Sequence, residues 1–173
     1  SWTASGDGSG DVDIDIYVMD TGVEHSDINV TENVDFRLGG TADPGDVDGH
    51  GTHIAAIAAA VDDTDGLVGI APGASVHNLK VLNDDGRTDV SVVLAAVEYI
   101  TAQKLANPSK PIVVNMSIGE NMGNELRTAL DDAVQQSAAA GVTYVVAAGN
   151  QGVNASHMTP AKVDEVITVG SYS

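Results

Sequence analysis

Two histidines stand at the start of an alanine-rich stretch, "DGHGTHIAAIAAA" at residues 48–60. The residues after His53 are nearly all alanine and isoleucine, so the stretch predicts a buried helix without a polar face. An imidazole at a helix N-terminus lies near the positive end of the helix dipole, which favours the neutral, basic ring. A neutral ring that a carboxylate orients can act as a general base. His50 is therefore the first candidate catalytic residue, with capping or simple packing of its ring as the alternative.

The two histidines also raise the question of a metal. His50 and His53 are spaced tolerably for zinc, but no glutamate follows as in HExxH and no third ligand is evident. We therefore disfavour zinc and expect His53 to pack on the inner side of the helix.

Two further polar residues follow buried strands. Asp20 comes directly after "VDIDIYVM", and Asn150 ends "VTYVVAAGN". Each residue type can simply end a strand, but a carboxylate can also orient a histidine and a neutral amide can donate to an oxyanion. Because function collects at the carboxyl ends of parallel strands, the sequence predicts that Asp20, His50 and Asn150 converge.

The elements that must position these residues alternate along the chain. Short β-branched runs occupy 12–19, 75–82, 111–119, 142–150 and 165–171. Helical patterns lie between them at 52–61, roughly 90–106 and roughly 124–140. This alternation predicts one α/β domain over residues 1–173, a three-layer, doubly wound, mainly parallel sheet with helices on both faces.

Composition excludes several classes of function. The chain has 25 Asp and Glu against 7 Lys and Arg, a net charge of −18, which argues against a nucleic-acid partner. It has no run of about 18 apolar residues, so we expect no membrane span. It has no cysteine, which excludes thiol catalysis. The acidic excess suits either a solvated surface or a protein that works in salt.

Several motifs, taken in order, resemble the subtilases, the subtilisin-like serine proteases. They are "YVMDTGV" (17–23), "DGHGTHIA" (48–55), "GIAPGA" (69–74), "NMSIG" (115–119), "YVVAAGN" (144–150) and "PAKVDEVITVGS" (160–171). The resemblance runs from about residue 9 to the last residue, and the spacing after Asn150 is more similar to the proteinase K-like branch.

The resemblance implies a role for each candidate residue. Asp20 orients and supports His50, His50 is the general base, and Asn150 is the oxyanion donor. The family's substrates are extended polypeptides. The implied substrate-binding residues are one pocket wall, Ser117, Ile118 and Gly119; the opposite wall, Ala147, Ala148 and Gly149; a pairing edge, Asp85, Gly86, Arg87 and Thr88; and Met158 at the base.

A structural calcium ion is also implied. The stretch "VDDTDGLVG" (61–69) resembles a family loop that wraps calcium. The implied oxygen ligands are the side chains of Asp27, Asp63 and Asp65 and the backbone carbonyls of Val61 and Leu67. A solvated acidic turn is the alternative. An EF-hand is excluded, because its twelfth position would be Pro72 instead of glutamate.

The nucleophile is the part of the family pattern that these residues lack. The resemblance implies a serine in a GTSMA-like motif beyond "VITVGS", and no GTS occurs in the 173 residues. We expect a partial, secreted catalytic domain that is inactive alone and is completed by a C-terminal fragment carrying the serine. The alternative is a non-catalytic subtilase-like module that binds extended peptides or calcium. A nucleotide-binding fold is disfavoured, because the first strand meets "DTGV" and no GxGxxG turn.

Overall fold

A computed structural model describes residues 12–41, 44–64, 66–123 and 128–171. The strands are β1 (Asp15–Asp20), β2 (Val30–Asp35), β3 (Ser75–Lys80), β4 (Ile112–Met116), β5 (Glu120–Asn121), β6 (Thr143–Ala147), β7 (Met158–Thr159) and β8 (Ile167–Val169). The helices are α1 (His50–Ala59), α2 (Val90–Ala106) and α3 (Ala129–Ala139), with a short 3-10 turn at Ala155–His157.

Six strands form one parallel sheet in the order β2-β3-β1-β4-β6-β8. β1 lies inside the sheet between β3 and β4, so the residue that ends it, Asp20, is completely buried. β5 and β7 form a separate antiparallel pair. The carboxyl ends of β1, β3, β4 and β6 therefore face one edge of the main sheet.

Side-chain alternation on β1 divides the core into two layers. Ile16 and Val18 pack with α1 on one face of the sheet. Tyr17 and Met19 pack with α2 and α3 on the other face. Successive strand residues point to opposite faces, so a strand that is apolar at every position needs cover on both sides. The predicted α/β architecture with helices on both faces is confirmed.

Several elements differ from the sequence pattern. α1 begins at His50, two residues earlier than predicted, because Gly49 adopts a left-handed conformation, with φ 88°, just before it. α3 begins at Ala129, whereas the predicted start at residue 124 lies outside the described residues. β2, with the sequence VTENVD, was not predicted because its polar side chains stand on a half-exposed edge strand. Across the described ranges, the helices are too short or too polar to span a bilayer.

Candidate active site

A cleft of about 690 Å³ opens at the carboxyl edge of the sheet. The ends of β3, β4 and β6 line it together with the start of α1. His50 and Asn150 both face this cleft, and Asp20 lies directly behind His50. The topology thus brings together the three residues that the sequence places at strand and helix ends.

Asp20 and His50 are in direct contact. His50 Nδ1 lies 2.7 Å from Asp20 Oδ1, and the backbone N–H of Thr21 donates to the same oxygen at 2.7 Å. An ionised carboxylate only accepts hydrogen bonds, so this contact places the imidazole proton on Nδ1. His50 Nε2 has no hydrogen-bond partner in the described part of the chain and is left as the basic nitrogen. The predicted contact between Asp20 and His50 is confirmed.

The two members of this pair have opposite exposure. The side chain of Asp20 is 0% exposed, whereas that of His50 is 45% exposed. A buried carboxylate is held in one geometry and is shielded from water, while the ring can reach a substrate group. This is the arrangement that a general base with an orienting acid requires.

Side-chain oxygens satisfy the first free N–H groups of α1. Asp48 Oδ1 accepts from His50 N at 3.2 Å, Thr21 Oγ1 from Gly51 N at 3.0 Å, and Asp46 Oδ2 from Thr52 N at 2.8 Å. Helix N-termini leave such groups unpaired unless side chains accept from them. The start of α1 is therefore fixed by two segments, the loop that precedes it and the turn after β1.

Asp46 has the densest set of these contacts. Burial by itself raises the pKa of Asp46, but hydrogen bonds from Thr52, Thr21 and Gly49 outweigh burial and hold the pKa below its usual value. The sequence reasoning missed Asp46. The signal was available, because aspartate shortly before a helix is a common capping residue.

Two strand extensions form the walls of the cleft. Ser117, Ile118 and Gly119 continue from β4, and Ala147 and Gly149 lie at the end of β6; all five line the cleft. Asn150 follows on the second wall, and its side chain forms no hydrogen bond with a described residue. Its amide is therefore available to a bound group.

Some predicted substrate-binding residues lie just outside the cleft. Gly86, Arg87 and Thr88 line it, but the exposed Asp85, in the same turn, does not. Ala148 also lies outside the lining and donates its backbone N–H to Val169 O at 2.8 Å, which ties β6 to β8.

Met158 lies behind the walls. It is fully buried and does not line the cleft. A Cβ built at Gly149 would lie 2.6 Å from Met158 Cε, and one built at Gly119 would lie 3.7 Å from the same methyl. Met158 therefore supports the two glycine walls from beneath, and the residues that reach the cleft there are Thr159 and Pro160.

The expected calcium ligands come from two segments that are in contact. The backbone N–H of Val61 donates to Asp27 O at 2.9 Å, and a Cβ built at Gly66 would lie 3.0 Å from Asp27 Oδ2. The Asp27 carboxylate thus faces the 61–67 loop. Asp65 lies outside the described residues.

Among the described residues, no group of three or more acidic and histidine side chains lies close enough together to hold a metal ion.

His53 is exposed, so the prediction that it packs on the inner side of the helix is wrong. Gly51, Ala55 and Ala59 form the inner face of the helix, and His53, two positions from both Gly51 and Ala55, lies on the opposite side.

Comparison with known proteins decides the family. The model of the subtilase family matches residues 12–173. The chain belongs to the subtilase family. This subtilase is 38% identical over 163 residues to Subtilisin DY of Bacillus licheniformis. It is 36% identical over 176 residues to an extracellular serine proteinase of Thermus sp. (strain Rt41A).

The solved structures agree with this assignment. The crystal structure of a cold adapted subtilisin-like serine proteinase matches this subtilase with a TM-score of 0.80 and 33% identity, covering 100% of this chain and 59% of that one. The Subtilisin DY match covers 91% of this chain and 56% of that relative, and the Thermus match covers 99% and 38%. The chain therefore spans between about two fifths and three fifths of the length of these relatives.

Proposed function

We propose that this chain supplies the acid, the base and an oxyanion donor of a serine endopeptidase. The observation that carries the proposal is the 2.7 Å contact between His50 Nδ1 and the buried Asp20, at the mouth of a cleft. Asp20 keeps the proton on Nδ1 and stabilises the imidazolium that forms. His50 Nε2 takes the proton of the attacking hydroxyl and later gives it to the leaving amine.

Asn150 is proposed as the side-chain donor to the oxyanion. A neutral amide can stabilise the negative oxygen of a tetrahedral intermediate without transferring a proton. The exposure of Asn150 and its lack of a partner in the described part of the chain support this role. Such a donor contributes about 3–4 kcal/mol to the stability of a transition state.

The proposed substrate is an extended polypeptide. The backbone after β4 and β6 forms parallel walls of small residues, and the Gly86–Thr88 edge lies on the same cleft. Exposed backbone edges of this kind bind an extended peptide through main-chain hydrogen bonds, while pockets between them select side chains. We assign Asp85 and Ala148 supporting roles in their turns and Met158 the support of the pocket base.

The nucleophilic serine is proposed to come from a segment outside residues 1–173. Within the described ranges, His50 Nε2 is hydrogen-bonded to no serine hydroxyl. Ser117 faces the cleft, but its Oγ accepts from Asn115 Nδ2 at 2.8 Å and it belongs to the wall. On this proposal the chain alone does not form an acyl-enzyme, and a complementing fragment with the serine restores activity.

Hydrolysis of a chromogenic peptide tests the proposal. We expect no turnover by the 173 residues alone, turnover after addition of the complementing fragment, and inhibition by a serine-directed reagent. His50→Ala abolishes the restored activity, whereas His53→Ala, on the same helix but exposed, leaves it unchanged. Peptide binding with no turnover in any combination supports the non-catalytic module instead.

We also propose that the 61–67 loop holds a structural calcium ion. The ligands are the side chains of Asp27, Asp63 and Asp65 and the carbonyls of Val61 and Leu67. The contact of Asp27 with this loop supports the assignment, and five oxygens suit a hard cation that takes six to eight oxygen ligands. The ion supplies charge neutralisation that ties the two segments together.

Thermal unfolding with calcium and with a chelator tests the calcium site. A ligand that binds only the native state raises the midpoint, so we expect the midpoint to fall on chelation. Asp63→Asn should remove most of this response, and Asp62→Asn, at the neighbouring position, should keep it. If neither calcium nor chelator changes the thermal midpoint, the 61–67 loop is a solvated acidic turn.

The protein is proposed to act outside the cell. One relative is described as an extracellular serine proteinase. Fractionation of the source culture, with activity measured in the medium and in washed cells, tests this location.

A further inference from the structure

We propose that Asp46 is a positioning residue that holds the base on α1 against the acid at the end of β1. The inference rests on the proposed function, because it assigns Asp46 a part in the same reaction. Asp46 touches neither Asp20 nor His50 through a hydrogen bond. It acts through the residues next to them.

Both carboxylate oxygens of Asp46 are engaged. Oδ1 accepts from Thr21 Oγ1 at 2.8 Å and from the backbone N–H of Gly49 at 3.0 Å. Oδ2 accepts from the backbone N–H of Thr52 at 2.8 Å and from its hydroxyl at 2.6 Å. An ionised carboxylate is an acceptor at every lone pair, so it can satisfy four donors at once.

Two of these contacts go to residues next to Asp20 and His50 in the sequence. Thr21 directly follows Asp20, and Gly49 directly precedes His50. Thr21 is also linked to the helix by a second path, because its hydroxyl oxygen accepts from Gly51 N at 3.0 Å while it donates to Asp46. The turn after β1 and the first turn of α1 are therefore joined through one side chain.

Charge adds to this geometry. A carboxylate near a helix N-terminus interacts favourably with the positive end of the helix dipole. The hydrogen bonds that lower the pKa of Asp46 favour its ionised form. Asparagine is nearly isosteric, but its NH₂ group is a donor and cannot accept from Thr52. Asp46→Asn consequently leaves the shape intact and removes one of the two acceptor oxygens.

The far end of α1 is fixed differently from its start. Ala55 and Ala59 are completely buried against the sheet, so packing holds the body of the helix without Asp46. The His50 end depends on the polar contacts. Loss of Asp46 should therefore displace the imidazole more than it unfolds the protein.

The structure offers a matched control carboxylate. Asp35 also accepts four hydrogen bonds, from Arg37 N at 3.1 Å, Nε at 2.9 Å and Nη2 at 2.7 Å and from Thr41 N at 3.2 Å. It lies at the end of the edge strand β2 and does not line the cleft. Asp35→Asn thus removes comparable hydrogen bonding without touching the link between Asp20 and His50.

The first measurement is hydrolysis by the complete, serine-containing enzyme. Asp46→Asn should lower kcat by up to about a hundredfold with little change in KM, because a misplaced catalytic group costs rate more than binding. Asp35→Asn should keep kcat even if it lowers the thermal midpoint equally. Thr52→Ser should retain activity, whereas Thr52→Val should lose part of it. If Asp46→Asn does not fold, the difference in kcat between Thr52→Ser and Thr52→Val tests the positioning role instead.

The second measurement needs no activity. The proton between His50 Nδ1 and Asp20 should give a strongly deshielded ¹H NMR signal in the wild-type chain. We expect Asp46→Asn to shift or broaden this signal and Asp35→Asn to leave it unchanged. Equal signals and equal kcat in the two variants overturn the positioning role. An enzyme that never hydrolyses peptide, yet shows the selective signal change, overturns the proposed function alone.

Discussion

Gly51 shows how little space separates α1, which begins at His50, from the turn that follows Asp20. A Cβ built there would lie 2.1 Å from Gly22 O and 2.9 Å from Asp20 Cβ. Neither neighbour is the end of a flexible side chain, so an added methyl must push α1 away from β1. The hydrogen bond between His50 and Asp20 depends on the absence of a side chain at this position.

Gly51→Ala should therefore damage stability and chemistry together. We expect a loss of about 1–3 kcal/mol in the free energy of unfolding, typical of overpacking, and a fall in kcat of about a hundredfold. Urea unfolding and peptide hydrolysis by the complete, serine-containing enzyme measure the two effects. Gly170→Ala is the control, because its Cβ would meet Ala148 Cβ at an ordinary 3.8 Å. Normal kcat in Gly51→Ala would contradict this account.

Asp35 makes the stability of the native state fall in acid. Hydrogen bonding to Arg37 is the main cause that holds the pKa of Asp35 below its ordinary value. The native state therefore binds this proton less readily than the unfolded chain. The stabilisation is present above the ordinary pKa of about 3.9 and is lost as pH falls below it.

Asp35→Asn should lower stability at neutral pH and make the loss in acid shallower than in the wild type. Urea unfolding at about pH 7 and about pH 3 measures this difference. Asp164→Asn, a change at an exposed aspartate, should follow the wild-type curve. Parallel curves for wild type and Asp35→Asn would contradict the prediction.

At the scale of elements, the sequence predicts the buried parts of the molecule well. Apolar runs such as those of β1 and β6 must be covered on both sheet faces, so their pattern identifies them. The sequence pattern does not predict β2, because an edge strand is partly exposed and needs no continuous apolar run. It does not predict β5 and β7 because each is only two residues long and pairs with a distant segment.

The same contrast applies to the candidate site. Asp20, His50 and Asn150 are predictable because each stands where a recognisable strand or helix ends. Asp46 is harder to identify because its partners come from both Thr21 and Thr52, which are distant in sequence. Met158 was expected at the pocket base, but the depth at which it lies depends on packing against Gly149.

The start of α3 lines part of the cleft. Thr128 Oγ1 accepts from Asp131 N at 3.2 Å, and Asp131 Oδ2 accepts from Thr128 N at 2.7 Å, a reciprocal capping box. Thr128 and Leu130 both line the cleft. The cap therefore links the stability of α3 to the shape of the cleft.

Thr128→Ala should cost about 0.5–2 kcal/mol of stability, the usual range for a lost N-cap, and Thr128→Ser should restore most of it. Chemical denaturation measures the loss. Because Thr128 lines the cleft, we also expect KM to rise in the alanine variant. A serine variant as unstable as the alanine variant would show that the hydroxyl is not the stabilising group.

Across the whole molecule, buried tyrosines determine the response to alkali. Burial raises the pKa of Tyr144 to about 12, although a hydrogen bond to Ser137 acts in the opposite direction. The native state therefore holds this proton more tightly than the unfolded chain, whose tyrosines titrate near 10. The stability that depends on Tyr144 is complete below about pH 10 and is lost as pH rises toward about 12.

Tyr144→Phe should flatten this alkaline loss, at the cost of the 2.9 Å hydrogen bond from the phenol to Ser137 Oγ. Ser137→Ala removes the same bond but keeps the phenol, so its alkaline loss should persist. Unfolding in urea across the range from about pH 9 to about pH 12 separates the two. A Tyr144→Phe curve as steep as that of Ser137→Ala would contradict the prediction.

The parallel order of the main sheet also affects when Asp20 and His50 can first meet during folding. Parallel neighbours cannot be joined by a hairpin, and residues 21–74 separate β1 from its partner β3. Closing such long loops is slow, because the chain loses conformational entropy before the contacts between the paired strands stabilise it. His50 lies within this loop, so we expect its 2.7 Å contact with Asp20 to form together with the closure and not before it.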